Sequence, residues 1–157
     1  MKPRIYLETT IISLLVARPA RDPINASRQY FSQLLWDKRN VVDFVTSEVV
    51  KNEISQGDSA RAQERLVLAN GLSSLELTDE AAYLAKLLID RKALPVFAYV
   101  DALHIALATV HNVAAIASYN FRHITGAFAR KKIESTLTQL GYTPLSIVLP
   151  EEIWEDL

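Results

Sequence analysis

The sequence has no cysteine among its 157 residues, which excludes a disulfide framework, an iron–sulfur cluster and a thiolate zinc site, and is compatible with a reducing compartment. It also lacks an excess of either charge. A formal net charge of -1 and a pI near 6.3 leave no global electrostatic footprint for nucleic acid, so any polyanion binding must come from a local basic patch. Long apolar runs are missing as well. Runs such as Leu14 to Ala17 fall far short of the roughly 20 residues a spanning helix needs. The opening MKPRIYLE enters an apolar pattern at once and leaves no room for the apolar core of a signal peptide. No repeat, low-complexity tract or linker is visible. The expectation is a cytoplasmic protein with no membrane association.

What is there is core-forming material. Half of the residues are hydrophobic, enough for one domain with a substantial core over 1–157 and too little for two. Ile5, Tyr6 and Leu7 read as a buried strand that ends abruptly in Glu8 and the hydroxyls of Thr9 and Thr10. A short helix follows from Ile11 to Val16, then the turn-forming ARPARDP from Ala17 to Pro23. The next helix is amphipathic, with Tyr30, Phe31, Leu34 and Leu35 on its apolar face and Arg28, Asp37 and Lys38 elsewhere.

Val41, Val42, Phe44 and Val45 form the second strand pattern, and Thr46 and Ser47 offer an N-cap for a helix to about Gln56. Asp58 to Ala69 is again helical, Ser73 to Leu77 a short strand, and Thr78 and Asp79 cap a helix that fades at Arg91 and Lys92. A largely buried helix is expected from Tyr99 to His111, a strand from Ala114 to Ser118, a mixed loop and helix from Ile124 to Leu140, and a final strand from Leu145 to Leu149. The terminal PEEIWEDL reads as a short helix. Strands separated by helices at this spacing indicate a mainly parallel sheet with helices on both faces.

Three acids are out of place in this pattern. Glu8 stands at the carboxyl end of a strand, where ligands collect in open α/β sheets; the plainer reading is a solvated first-turn acid beside a capping threonine. Glu53 shares a helix face with Val49, Val50 and Ile54, with a salt bridge within the fold as its plainer reading, whereas Glu48 has an ordinary place in the first turn. Asp101 lies on an apolar stripe with Ile105 and Ala108, and a carboxylate aimed at the core is costly unless paired, capping or metal-bound. His104, one turn on, reads as a satisfied structural histidine. Ser118 and Asn120 in SYNFRH occupy another strand's carboxyl end, with an asparagine turn and Phe121 packed on the core as the local alternative. If Glu8, Glu53 and Asp101 converge, each pair repels by roughly 4 kcal/mol at close range. A divalent cation removes that penalty, and an all-oxygen set suits magnesium or manganese.

These residues resemble the PIN-domain family, especially the VapC-type toxins of toxin–antitoxin pairs. The resemblance rests on YLETTIIS, TSEVVKNEI, DALHIALA and ASYNFRHI, in the family's order. It implies a three-layer α/β/α sandwich and a metal-dependent endoribonuclease in which Mg2+ (or Mn2+) activates a water for in-line attack on RNA. Glu8, Glu53 and Asp101 fall on the family's metal-binding acids. Asn120 falls where a fourth aspartate often stands, and Thr10 on the hydroxyl that orients metal or water. Glu8 is one methylene longer than the usual aspartate and Asn120 has no charge, so a catalytically degenerate module that binds RNA or a protein is the alternative. Arg18, Arg21, Arg122, His123 and Arg130, with Lys131 and Lys132, are the cations expected to meet RNA. The resemblance further implies a homodimer and a cognate antitoxin.

Overall fold

The computed structural model describes residues 1–143 and 145–157. Its strands are β1 (Arg4–Leu7), β2 (Asp43–Ser47), β3 (Ser73–Leu75), β4 (Ala115–Ala117) and β5 (Ser146–Val148). Helices α1 (Thr9–Val16) and α2 (Pro23–Trp36) join β1 to β2; α3 (Glu48–Ile54) and α4 (Ser59–Asn70) join β2 to β3. Helices α5 (Asp79–Asp90) and α6 (Tyr99–Val110) lead to β4, α7 (Ala127–Gln139) leads to β5, and α8 (Pro150–Ile153) follows it.

The strands form one sheet in the order β3-β2-β1-β4-β5, and every described pair is parallel. Crossovers β1 to β2 to β3 step one way and those from β3 to β4 to β5 step the other. The right-handed rule therefore puts their helices on opposite faces, giving the α/β/α sandwich read from the sequence. β1 is central, with Ile5 opposite Phe44 and Ala115, and Ile5, Tyr6 and Leu7 are all buried. A strand covered on both faces needs this unbroken apolar run. The order reverses between β1 and β4, so the crevice outside their carboxyl ends is the topological switch point. Among the described residues no helix is long and apolar enough to cross a membrane.

Several element ends differ from the sequence reading, each for a hydrogen-bonding or packing reason. β2 begins at Asp43 because the backbone N–H groups of Val41 and Val42 both donate to the Lys38 carbonyl, closing a turn after α2. Tyr30 is exposed, and Ser32 and Leu35 are the buried residues of α2. α1 starts at Thr9 because Glu8 caps it. β3 stops at Leu75, leaving Leu77 exposed. The mixed segment resolves into a single wide turn, Phe121–Thr125, and then α7. Gly126 joins the two, where a Cβ would collide with the Phe121 carbonyl.

Candidate active site

Glu8 follows β1 in extended backbone geometry and N-caps α1 with its own carboxylate, so the plainer reading of a capping threonine beside a solvated acid does not hold: the acid is the cap, and it is buried. It is only 3% exposed. Its Oε1 accepts from the hydroxyls of Thr10 and Ser118, each at 2.6 Å, and from the Thr10 backbone N–H at 3.3 Å. The Thr10 hydroxyl also accepts from the Tyr119 N–H at 2.8 Å, and Ser118 Oγ accepts from the Asn120 N–H at 2.9 Å. One carboxylate oxygen thus ties the end of β1 to the loop after β4. Burial pushes the Glu8 carboxyl above its ordinary value, against the opposing pull of His104 and the two hydroxyls.

Glu53 is brought in from α3. Its Oε1 accepts from the Thr9 hydroxyl at 2.6 Å and from His104 Nε2 at 2.5 Å. Fully buried His104 turns its other nitrogen, Nδ1, to the Tyr6 hydroxyl at 2.7 Å, which lies 2.7 Å from Ser47 Oγ. Burial acts to raise Glu53, yet the hydrogen bond and charge of His104, helped by Thr9, hold it below its ordinary value. Burial acts to lower His104, but the hydrogen bond to Glu53 and the charges of Glu8, Glu53 and Asp101 raise it. Both directions favour an imidazolium–carboxylate pair. In that form His104 Nδ1–H donates to Tyr6, and Tyr6 donates to Ser47.

Asp101 sits in the first turn of α6, where its Oδ2 accepts from His123 Nδ1 at 2.8 Å. Its side chain is mostly covered, but it opens on a cleft rather than the core. That cleft, of about 410 Å³, is lined by Glu8, Glu53, Asp101, Thr10, Asn120 and Arg28, among others. Ligand atoms of Glu8, Glu53 and His104 lie within 4.8 Å of one another, a cluster that does not include Asp101. Both ring nitrogens of His104 are already engaged, so its chemistry is that of a support to Glu53.

The donor chemistry fits a hard cation. Each carboxylate commits one oxygen to protein donors, and the other oxygen (Oε2 of Glu8, Oε2 of Glu53, Oδ1 of Asp101) meets no donor among the described residues. Carboxylates oriented at one oxygen and open at the other have the donor chemistry that a hard cation such as Mg2+ or Mn2+ requires. Asn120 also lines the cleft. Its Oδ1 accepts from the His123 backbone N–H at 3.1 Å, capping the turn that follows. That bond uses one of the oxygen's two lone pairs, and the side chain brings no charge to the cleft that it helps to line.

The expected cations are scattered. Arg18, Arg21 and Arg122 are exposed and line no part of the acid cleft. His123 is engaged with Asp101, and Arg130 forks onto both carboxylate oxygens of Glu152 at 2.9 and 3.0 Å while reaching the Thr125 carbonyl. The sequence reading missed Arg28 in the cleft, 5.0 Å from the ring centre of Phe121 and 5.6 Å from that of Tyr119. Only the packing of α2 across the loop after β4 reveals it; the one local signal is Asn25, a turn earlier on the same face and also in the cleft. A larger hollow of about 730 Å³ lies against β2, β3 and Trp36, but Asp43 is its one lining acid.

The acid-lined cleft lies at the switch point of an all-parallel, doubly wound sheet, the edge at which open α/β proteins bind their ligands. The PIN domain family model matches residues 5–130, and the chain belongs to the PIN domain family. Comparison with the curated proteins finds no match. Among solved structures, VapBC2 from Rickettsia felis bound to a DNA fragment from their promoter is similar in fold. The TM-score is 0.57 at 13% identity, over 93% of this chain and 98% of that chain.

Proposed function

We propose that the protein is a metal-dependent endoribonuclease of the VapC toxin type, with Glu8, Glu53 and Asp101 as the ligands of a Mg2+ or Mn2+ ion. The observation that carries this reading is the shared pattern of one oriented and one open oxygen on each carboxylate. PIN family membership supports it, since PIN domains are generally nucleases. When bound, the cation supplies an activated water and neutralises charge on the phosphodiester oxygens.

The chain's own residues supply orientation. Thr10 and Ser118 fix Glu8, His104 and Thr9 fix Glu53, and His123 fixes Asp101. Preset ligands lower the reorganisation needed during reaction. Asn120 brings no charge to the cleft, so a set of three carboxylates should hold one metal more readily than two. The family resemblance extends the reading to a homodimer and to an antitoxin partner whose tail covers the cleft.

The test is RNA cleavage by the purified protein with Mg2+, Mn2+ or chelator, beside Asp101→Asn. Cleavage that needs the cation and is lost in the variant is expected. Cleavage that survives chelation, or is unchanged by Asp101→Asn, contradicts the mechanism. A folded, metal-loaded protein that binds RNA and cleaves none is the degenerate binding module.

A further inference from the structure

Arg28 is unlike the other partly buried arginines of the chain. Arg61 donates to the Val16 carbonyl and Glu64, Arg65 to the carbonyls of Ile54 and Gln56, and Arg130 to Glu152 and the Thr125 carbonyl. Arg28 has no hydrogen bond and no ion pair among the described residues. Instead its guanidinium is held against the rings of Phe121 and Tyr119, at 5.0 and 5.6 Å from their centres. Aromatic contact engages the π-faces and leaves the in-plane N–H donors free. Arg28 lines the cleft that contains Glu8, Glu53 and Asp101, yet none of these acids lies within ion-pair distance of it.

A guanidinium fork that is partly desolvated, seated over two aromatic rings and without a hydrogen-bond or ion-pair partner among the described residues matches a phosphate group, which it can grip through two parallel N–H bonds. Beside it, Phe121 keeps 41% of its surface exposed, while Tyr119 is buried at 6%. The local reading that packed Phe121 on the core is therefore reversed, with Tyr119 taking the inner place. An exposed ring next to a phosphate grip can stack an unpaired base, the arrangement by which single strands are held without sequence readout.

We infer that Arg28, seated on Tyr119 and Phe121, forms a subsite for single-stranded RNA, the guanidinium gripping a backbone phosphate and the Phe121 ring stacking the adjacent base. This inference rests on the RNA reading of the cleft. It assigns substrate positioning to α2, outside the acid set.

The experiment measures binding of a short fluorescent unstructured RNA to the full chain with Ca2+ in place of Mg2+, over a salt series, for wild type, Arg28→Gln, Arg28→Lys and Phe121→Leu. Thermal melts confirm folding of each variant. Arg28→Gln is expected to weaken binding by about tenfold or more, the loss of one charge-assisted contact. It should also lower the slope of log affinity against log salt by about 1. Arg28→Lys should keep the slope and recover only part of the affinity, and Phe121→Leu should weaken binding with the slope intact. Binding and salt slope unchanged in Arg28→Gln overturn the subsite, as does a wild type that binds no RNA. If RNA is cleaved equally by wild type and Arg28→Gln, with the same KM, the subsite falls and the nuclease stands. If binding depends on Arg28 and nothing is cleaved, the subsite stands and the nuclease falls.

Discussion

His104 holds Glu53 from beneath the cleft: Nε2 donates to Glu53 Oε1 at 2.5 Å while Nδ1 is 2.7 Å from the Tyr6 hydroxyl. Through Ser47 and Thr9 this becomes a continuous line of hydrogen bonds linking β2, β1, α6, α3 and α1. Tyr6→Phe cuts the line between Ser47 and His104 and leaves buried His104 Nδ1 without its partner, while Ser47 Oγ keeps the bond from the Val50 N–H. It should cost about 1–3 kcal/mol of stability, measured by chemical denaturation. Combined with Ser47→Ala it should be clearly non-additive, because both residues share one network.

Glu8→Gln should separate folding from metal binding. Gln keeps an oxygen to accept from Thr10 and Ser118 but removes a charge whose burial is unfavourable. In EDTA at neutral pH the variant is expected to melt at or above the wild-type temperature. With Mn2+ the wild type should gain thermal stability and the variant should gain little.

Asn120→Asp should fold, because Oδ1 remains available to cap the His123 N–H. It adds a fourth carboxylate to the cleft, so the metal-free protein should be less stable than wild type and the Mn2+-induced rise in melting temperature larger. Differential scanning fluorimetry with and without Mn2+ reads both.

Arg130 should contribute to stability rather than to RNA binding. The guanidinium holds Glu152 below its ordinary carboxylate value through hydrogen bonds and charge. A carboxyl lowered on folding contributes stability above its unfolded value and loses it as pH falls through the lowered one. Glu152→Gln should therefore be less stable than wild type at neutral pH, by about 0.2–1 kcal/mol for a pair of this exposure. The difference should vanish in acid. Arg130→Gln should leave RNA affinity within about twofold of wild type, as expected for a fork already bound to protein oxygens.

The acids were legible in the sequence because each broke a local pattern. Glu8 ended a strand that needed no polar residue, while Glu53 and Asp101 interrupted apolar helix faces, and the parallel sheet brought the three to one edge. Element ends were less legible: Val41 and Val42 are as β-prone as Phe44 and Val45, and only a turn back to Lys38 withdraws them from the strand. His104 reads from the sequence as a satisfied structural histidine and is one, but what satisfies it is not legible there because its partners Tyr6 and Glu53 lie far away in the chain. Arg28 and the inversion of Tyr119 and Phe121 depend on how α2 lies over the loop after β4, a tertiary fact that periodicity does not encode. Asn120 is legible as a residue at the carboxyl edge of β4, but the bond that its Oδ1 accepts from the His123 N–H depends on the turn that follows.

The most direct test of the shared carboxylate site is calorimetric titration of Mn2+ into the metal-free full chain, beside Glu53→Gln and Asp101→Asn, each shown to be folded. Saturable binding in the wild type, weakened at least tenfold in both variants, is the expected result. A wild type that takes up no Mn2+ or Mg2+, or variants that bind with wild-type affinity, would contradict a cation held by Glu8, Glu53 and Asp101.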